Sequence, residues 1–379
     1  MKLTLIRPLC PDRAKTQRLQ DVLDFGLEGY DYDVLETIEQ IEAADLRGRR
    51  LLFAIELGES GINLEYVRLL KSIRMNRHMF DGCLAGIVVD GDSELFTKSV
   101  SRHLVFSANR AGCAFPGRPL VEGTRTLQNF NIIAANMNTD NSEAYRMTVR
   151  QLVEQITDFQ KLVRPRPKLL VIHSGSPDTS NTLILWDMIK EHLDAEITEI
   201  SLREGQLHDC NACDYETCLH FGEKSRCFYG GVITREVYPA ILDCDALVML
   251  CPNYNDAVSA NLTAFINRLT ALFRVRRFYD KSLYAVVVSG YSGGDIVAEQ
   301  LISALNMNKS FYLPPRFVMM KTANDPGAIA SQCHVKEDAA DFAARIMKDL
   351  AGCAAAPDAP AAPNAPAAPN APAAQKVHL

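Results

Sequence analysis

The chain contains no apolar run of the roughly 18 residues that a membrane-spanning helix requires. Its amino terminus, MKLTLIRPLC, is too short in its apolar part for a cleaved leader and shows no cleavage pattern, so the cytoplasm is the expected compartment. Basic excess is lacking too: 40 Lys and Arg against 46 Asp and Glu leave a net charge of −6. That balance argues against a nucleic acid or an anionic membrane surface as partner. Only one tryptophan is present, Trp186, and its place within a helical pattern predicts packing rather than recognition. Cysteine is not scarce: eleven thiols in a reducing compartment argue against a disulfide framework and direct attention to any that cluster. At 47% hydrophobic and 23% charged over 379 residues, the material suffices for two to three soluble domains.

What the chain does have is α/β alternation, twice over. Strands are predicted at residues 2–6, 51–57 and 84–90, with helices near 12–25, 64–73 and 141–163. The strands LLFAIEL and LAGIVVD are apolar without alternation, as in a parallel sheet covered on both faces. Arg164-Pro165-Arg166-Pro167 then interrupts the pattern. Beyond it, strands at 169–172, 196–202, 246–251, 283–289 and 317–320 alternate with helices at 180–193, 232–242, 260–273, 295–305 and 336–350. Five such units predict a doubly wound parallel sheet with right-handed crossovers. Residues 80–93 also align with 279–292, and 51–74 follow the strand–loop–helix pattern of 246–269. The expected organisation is therefore a degenerate α/β domain over 1–163, a linker at 164–167, a second α/β domain over 168–350 and an Ala/Pro-rich tail over 351–379. That tail twice carries APAAPN, which cannot pack a core.

The stretch KLLVIHSGSPDTSNT, residues 168–182, is the most informative. It reads as a buried strand, a polar turn and a helix start. The turn offers hydroxyls at Ser174, Ser176, Thr179, Ser180 and Thr182, the open backbone of Gly175 and the amide of Asn181. A helix start presents unpaired N–H groups and a positive dipole end, which favours a phosphate. The turn holds no Lys or Arg, unlike the GxxxxGK[ST] loop of a nucleoside triphosphate site, so a phosphate monoester fits better. Pro8 to Arg13, the matching place in the first copy, has no hydroxyl cluster, and the first domain is expected to be structural or interfacial. Two further post-strand loops belong to the same sheet edge: Cys251 to Ser259, with Tyr254 beside amides, and Ser289 to Gly294, with three glycines beside Tyr291. Aromatic faces and free backbone donors suit a flat heteroaromatic ring.

SGSPDTSNT, LVMLCPNYNDAVSANLTAFINRL and SGYSGG together resemble the NADPH-dependent FMN reductase and iron–sulfur flavoprotein family, of flavodoxin-like fold, over about residues 168–320. The resemblance implies FMN with its phosphate held by Ser174, Ser176, Ser180, Asn181 and Thr182. Pro252, Asn253, Tyr254 and Asn255 would line the ring, with Ser289, Gly290, Tyr291 and Gly293 on its other rim. It further implies a reduced nicotinamide donor, NADH or NADPH, a small-molecule or protein acceptor and a homo-oligomer. No catalytic acid or base is required, because the flavin carries the chemistry. The chain departs from the family's pattern at Asp178, where Arg or Lys is usual, and at Thr263 and Asn267, where Lys and Asp are usual. An electron carrier or redox-sensing module that binds FMN without rapid turnover is the alternative function. A scaffold stapled by zinc is a third.

Between the second strand of this domain and its next helix lie Cys210, Cys213, Cys218 and Cys227, spaced C-x2-C-x4-C-x8-C. Four thiols within eighteen residues can ligate a [4Fe–4S] cluster or a zinc ion. The iron–sulfur flavoproteins carry a tighter motif at this place. A redox-active pair at Cys210 and Cys213, zinc with His208 or His220, and plain packing remain alternatives. His173, ending a buried strand, is expected to be a satisfied core histidine.

Overall fold

In a computed structural model, residues 2–10 and 17–352 are described. Among them are two five-stranded parallel sheets. The first comprises β1 (Leu3–Ile6), β2 (Tyr32–Leu35), β3 (Arg50–Leu57), β4 (Leu84–Gly91) and β5 (Leu120–Gly123), in the order β2-β1-β3-β4-β5. The second comprises β6 (Lys168–His173), β7 (Glu196–Ser201), β8 (Ala246–Asn253), β9 (Ser282–Ser289) and β10 (Val318–Thr322), in the order β7-β6-β8-β9-β10. Both orders are 2-1-3-4-5 counted along each half, the doubly wound arrangement of flavodoxin. The expected pair of tandem flavodoxin-like copies is thereby met.

The central strands are buried on both faces. Val171 pairs in parallel register with Val248 and Glu199, and Met249 with Ala285. Every side chain of β3 after Arg50, and all of β4 and β9, are buried, which is why these stretches read as unbroken apolar runs. The two faces of each sheet belong to different clusters. Helices α1 (Gln17–Leu27) and α6 (Asn141–Thr157) cover one face of the first sheet through Leu23, Val149 and Val153. Helices α7 (Asn181–Lys190) and α12 (Val335–Leu350) cover one face of the second through Trp186, Phe342 and Ile346. Trp186 is fully buried, with Nε1 donating to Glu199 at 3.1 Å.

The remaining faces share one core that crosses between domains and includes Phe53, Phe80 and Phe115 with Phe278, Phe311 and Leu313. The helices there are α2 (Ile38–Ala43), α3 (Leu64–Met75) and α4 (Thr97–Arg110) from the first domain. The second contributes α8 (Tyr215–Glu223), α9 (Tyr238–Asp243), α10 (Ala260–Val275) and α11 (Gly294–Leu301), with α5 (Asn131–Met137) lying elsewhere against α6. Polar contacts lock the seam reciprocally. Phe115 and Leu313 exchange backbone hydrogen bonds of 3.0 and 2.9 Å. Asn109 Nδ2 donates to Pro314 O at 2.7 Å, and Asn306 Nδ2 donates to Pro116 O at 2.9 Å.

Several elements differ from the sequence expectation. Strands β2 and β5 and helices α2, α4, α5 and α8 were not expected, and the helix predicted to run to 163 ends at Thr157. The predicted helix start near residue 12, the first-copy turn at 11–13, Cys353 and the tail lie outside the described residues. Among the described residues no helix is long and apolar enough to cross a membrane.

Candidate functional site

The three loops following β6, β8 and β9 are joined by side-chain hydrogen bonds at the carboxyl edge of the second sheet. Because β6, β8 and β9 are adjacent and parallel, their ends must emerge together. Ser174 Oγ lies 2.8 Å from Ser259 Oγ, which links the first loop to the second. Asn253 Nδ2 donates to Ser289 Oγ and to Ser292 O, at 3.2 and 3.0 Å, linking the second to the third. Gln300, on α11, accepts from Val258 N and donates to Asp256 O, both at 2.9 Å, which fixes the second loop from behind.

The first loop is a tight bend. Thr179 N and Ser180 N both donate to Ser176 O, at 3.3 and 3.0 Å. Ser180 caps α7, its Oγ accepting from Leu183 N at 3.3 Å. That bond uses an acceptor lone pair and leaves the hydroxyl proton to donate elsewhere. A Cβ on Gly175 would stand 2.8 Å from Ser180 Oγ, so only glycine allows the bend to close this tightly. Asn181 is buried, and its side chain is committed to the segment after β10: it donates to Ala323 O and Asp325 O at 3.2 and 2.8 Å and accepts from Ile329 N at 3.3 Å. The groups of Asn181 and Thr182 left for an anion are main-chain N–H donors at the start of α7. Asp178 is exposed in the same bend.

In the second loop Asn255 and Asp256 have φ of 54° and 55°, and Ala257 N donates to Tyr254 O at 3.2 Å. Two successive left-handed residues make a type I′ turn, a conformation Asn and Asp tolerate because their side chains can hydrogen-bond locally. The turn holds Tyr254 61% exposed, and in the third loop Tyr291 is 80% exposed. Two large aromatic rings left in water on one edge are unusual and are the surfaces a planar ligand would cover. Gly293 has φ of 87°, and a Cβ there would strike Asp256 Oδ1 at 1.9 Å. Asn253 Oδ1 is buried without a partner. An orphaned acceptor at the junction of the loops calls for a donor that the chain does not supply. These features fit FMN: hydroxyl and main-chain donors for a phosphate, exposed aromatic rings, and an amide acceptor available to a ring N–H.

His173 differs from expectation. It is buried, but Nδ1 has no partner, and desolvation lowers the imidazole pKa, with Glu199 opposing weakly. The neutral form is favoured, and the ring lies directly before the bend.

A metal centre at the four cysteines, expected from their spacing, is not supported. Cys210, Cys213, Cys218 and Cys227 do line one largely apolar cavity of about 270 Å3, with Phe221, Phe228 and Arg274. Yet no three of them, nor any three acidic, His or Cys side chains among the described residues, form a group able to hold a metal ion. Cys218 is carried on α8, which starts at the Asp214 cap, and Cys210 and Cys213 precede it in a loop tied to α10. Asn267 donates to Asp209 Oδ1 at 3.0 Å, and Arg268 donates to Gly230 O at 2.7 Å, holding both ends of that loop. The residues as arranged do not fit a cluster.

Fold and edge together define a pair of flavodoxin-like domains, and the edge of the second has features that fit a mononucleotide. Residues 167–325 match the family described as NADPH-dependent FMN reductase, which bears out the resemblance read from the three loops. No curated protein matches the sequence significantly. Among solved structures, the chain is similar to RosB with a bound 8-demethyl-8-formylriboflavin-5'-phosphate intermediate, at 16% identity over 49% of this chain and 81% of that one, TM-score 0.38. It is also similar to the Trp repressor binding protein from Bacillus subtilis, at 22% identity over 46% and 96%, TM-score 0.31. A third is the NAD(P)H:quinone oxidoreductase from Methanothermobacter marburgensis, at 14% identity over 48% and 95%, TM-score 0.33.

Proposed function

We propose that the chain is a cytoplasmic oxidoreductase that would hold FMN at the carboxyl edge of the second sheet and use it to pass electrons from NADH or NADPH to a small-molecule or protein acceptor. The observation that carries the reading is the junction of three loops through Ser174–Ser259 and Asn253–Ser289, with Asn253 Oδ1 left unpartnered. When bound, FMN supplies the hydride and electron chemistry. The chain supplies placement. Ser176 and Ser180 donate hydroxyl protons to the phosphate, joined by Ser174, the main-chain N–H groups of Asn181 and Thr182, and the positive end of the α7 dipole. Pro252, Asn253, Tyr254 and Asn255 line one side of the ring, and Ser289, Gly290, Tyr291 and Gly293 the other. The four-cysteine cavity enters no step of this reading.

Purified protein reconstituted with FMN and mixed anaerobically with NADH or NADPH tests it. Bleaching of the flavin absorbance within seconds, followed by multiple turnovers in air, is the expected result. A protein that takes up no FMN overturns the reading, and one that binds FMN but is reduced only over many minutes is a carrier instead.

A further inference from the structure

Between the two domains, beside the third flavin loop, lies a cleft of about 500 Å3. One wall is Ser289, Tyr291 and Ser292 of the second domain; the facing wall is Arg74, Arg77 and Arg110 of the first. Arg74 and Arg77 stand at and just beyond the end of α3, and Arg110 ends α4, so the seam between domains delivers all three to one side. Lys321 adds a fourth cation, but it is paired with Asp338. Of the cleft's two carboxylates, Glu299 is held by Arg102 and His103, at 3.0 and 3.3 Å, on the first domain's side. Among the described residues no carboxylate forms an ion pair with Arg74, Arg77 or Arg110. Arg74 Nε donates to Ser107 Oγ at 3.1 Å, and the Arg110 guanidinium lies over the Phe106 ring at 5.7 Å, both contacts being with residues that line the cleft.

Three exposed guanidiniums with no ion-paired carboxylate repel one another, though solvent screens them and Asp295 offsets part of the charge. Burial lowers the Arg110 pKa, and Arg77 and Arg74 lower it further, against a smaller opposing pull from Asp295. A protein that wanted only a seam would neutralise this wall, as Asp81 neutralises Arg316 nearby at 2.7 Å. Arginine forks match phosphate oxygens in pairs, and a dianion would relieve the mutual repulsion.

We propose that this cleft binds the phosphate groups of a small redox partner whose reactive end meets the flavin at Tyr291, with Arg74, Arg77 and Arg110 as its anchors. The inference rests on the proposed flavin site and gives the first domain a part in it. Two sources share the chemistry: the phosphates of a nicotinamide dinucleotide donor, and those of a phosphorylated acceptor.

The test compares the wild type with the triple variant Arg74→Gln, Arg77→Gln, Arg110→Gln and with Arg47→Gln, an exposed cation outside the cleft, as control. In FMN-loaded protein, the NADPH concentration giving half-maximal anaerobic reduction rate is expected to rise at least tenfold in the triple variant only, with FMN affinity unchanged. If reduction is unaffected but reoxidation by free FMN weakens tenfold while reoxidation by riboflavin, which lacks the phosphate, does not, the site stands and its ligand is the acceptor. If neither half-reaction changes while FMN is held, the inference is overturned. Equilibrium dialysis of adenosine 2′,5′-bisphosphate against flavin-free protein separates this from the flavin reading. Tenfold weaker binding by the triple variant supports the cleft even if the chain takes up no FMN, and equal binding by all three proteins overturns it.

Discussion

Asp178 sits exposed in the phosphate bend, where the family's pattern places a cation, and its carboxylate opposes the anion that the surrounding hydroxyls and N–H groups favour. The solvent around it limits the effect to roughly 0.5–1 kcal/mol. Asp178→Arg is therefore expected to tighten FMN binding about two- to fivefold at low salt, with the gain fading near 0.5 M salt; quenching of flavin fluorescence measures it. At this scale the sequence was informative about which residue types meet, and silent on how they are engaged. The hydroxyls and glycines of SGSPDTSNT are visible as letters. That the Asn181 side chain is committed to Ala323, Asp325 and Ile329 is not, because its partners lie more than 140 positions away. The unpartnered Oδ1 of Asn253 and Nδ1 of His173 are equally invisible, since burial without a partner is a property of packing.

Among elements, the buried central strands were legible and the edges were not. β3, β4, β8 and β9 announce themselves by apolar runs, whereas β2 and β5 have four residues each, partly exposed, with Asp33 and Glu122 inside them. Short, charged edge strands resist unwanted pairing and for that reason lack a strong pattern. Helix α8 was hidden by the cysteine pattern it belongs to: Cys218, its one cysteine, was read as a loop ligand, although Asp214 followed by Glu216 is a helix-start signal. The seam between domains depends on one close approach that the sequence marks only as a Pro-Gly pair. A Cβ on Gly117 would lie 1.9 Å from the carbonyl oxygen of Ser310, at a crossing of two backbones. Neither backbone can give way as a side-chain tip would, so Gly117→Ala is expected to cost about 1–3 kcal/mol of unfolding free energy. Urea titration measures it, with Gly58→Ala, which meets nothing within 4 Å, as a control expected to change little.

The whole molecule is one topology used twice, with reciprocal asparagines, Asn109 and Asn306, tying each copy to the loop of the other. The copies differ at the edge where a ligand would sit. In the second sheet that edge is lined by hydroxyls, glycines and exposed tyrosines. In the first, the described residues bring charges there: Arg18 bonds the buried Asp90 at 2.8 Å, Tyr145 reaches the same carboxylate at 3.3 Å, and buried Arg7 stands 3.9 Å from Glu56. The duplication was legible in aligned segments of the sequence; the use of one copy to wall a cleft beside the other was not, because α3 and α4 show only that they are helices, not what they face. The central claim concerns the second edge, and an equilibrium titration of FMN against the chain tests it most directly, with Ser176→Glu, Ser180→Glu in parallel. The account predicts one FMN per chain in the wild type and at least a hundredfold weaker binding in the variant, with its circular dichroism unchanged. Two FMN per chain, or a variant that binds as tightly as the wild type, would contradict it.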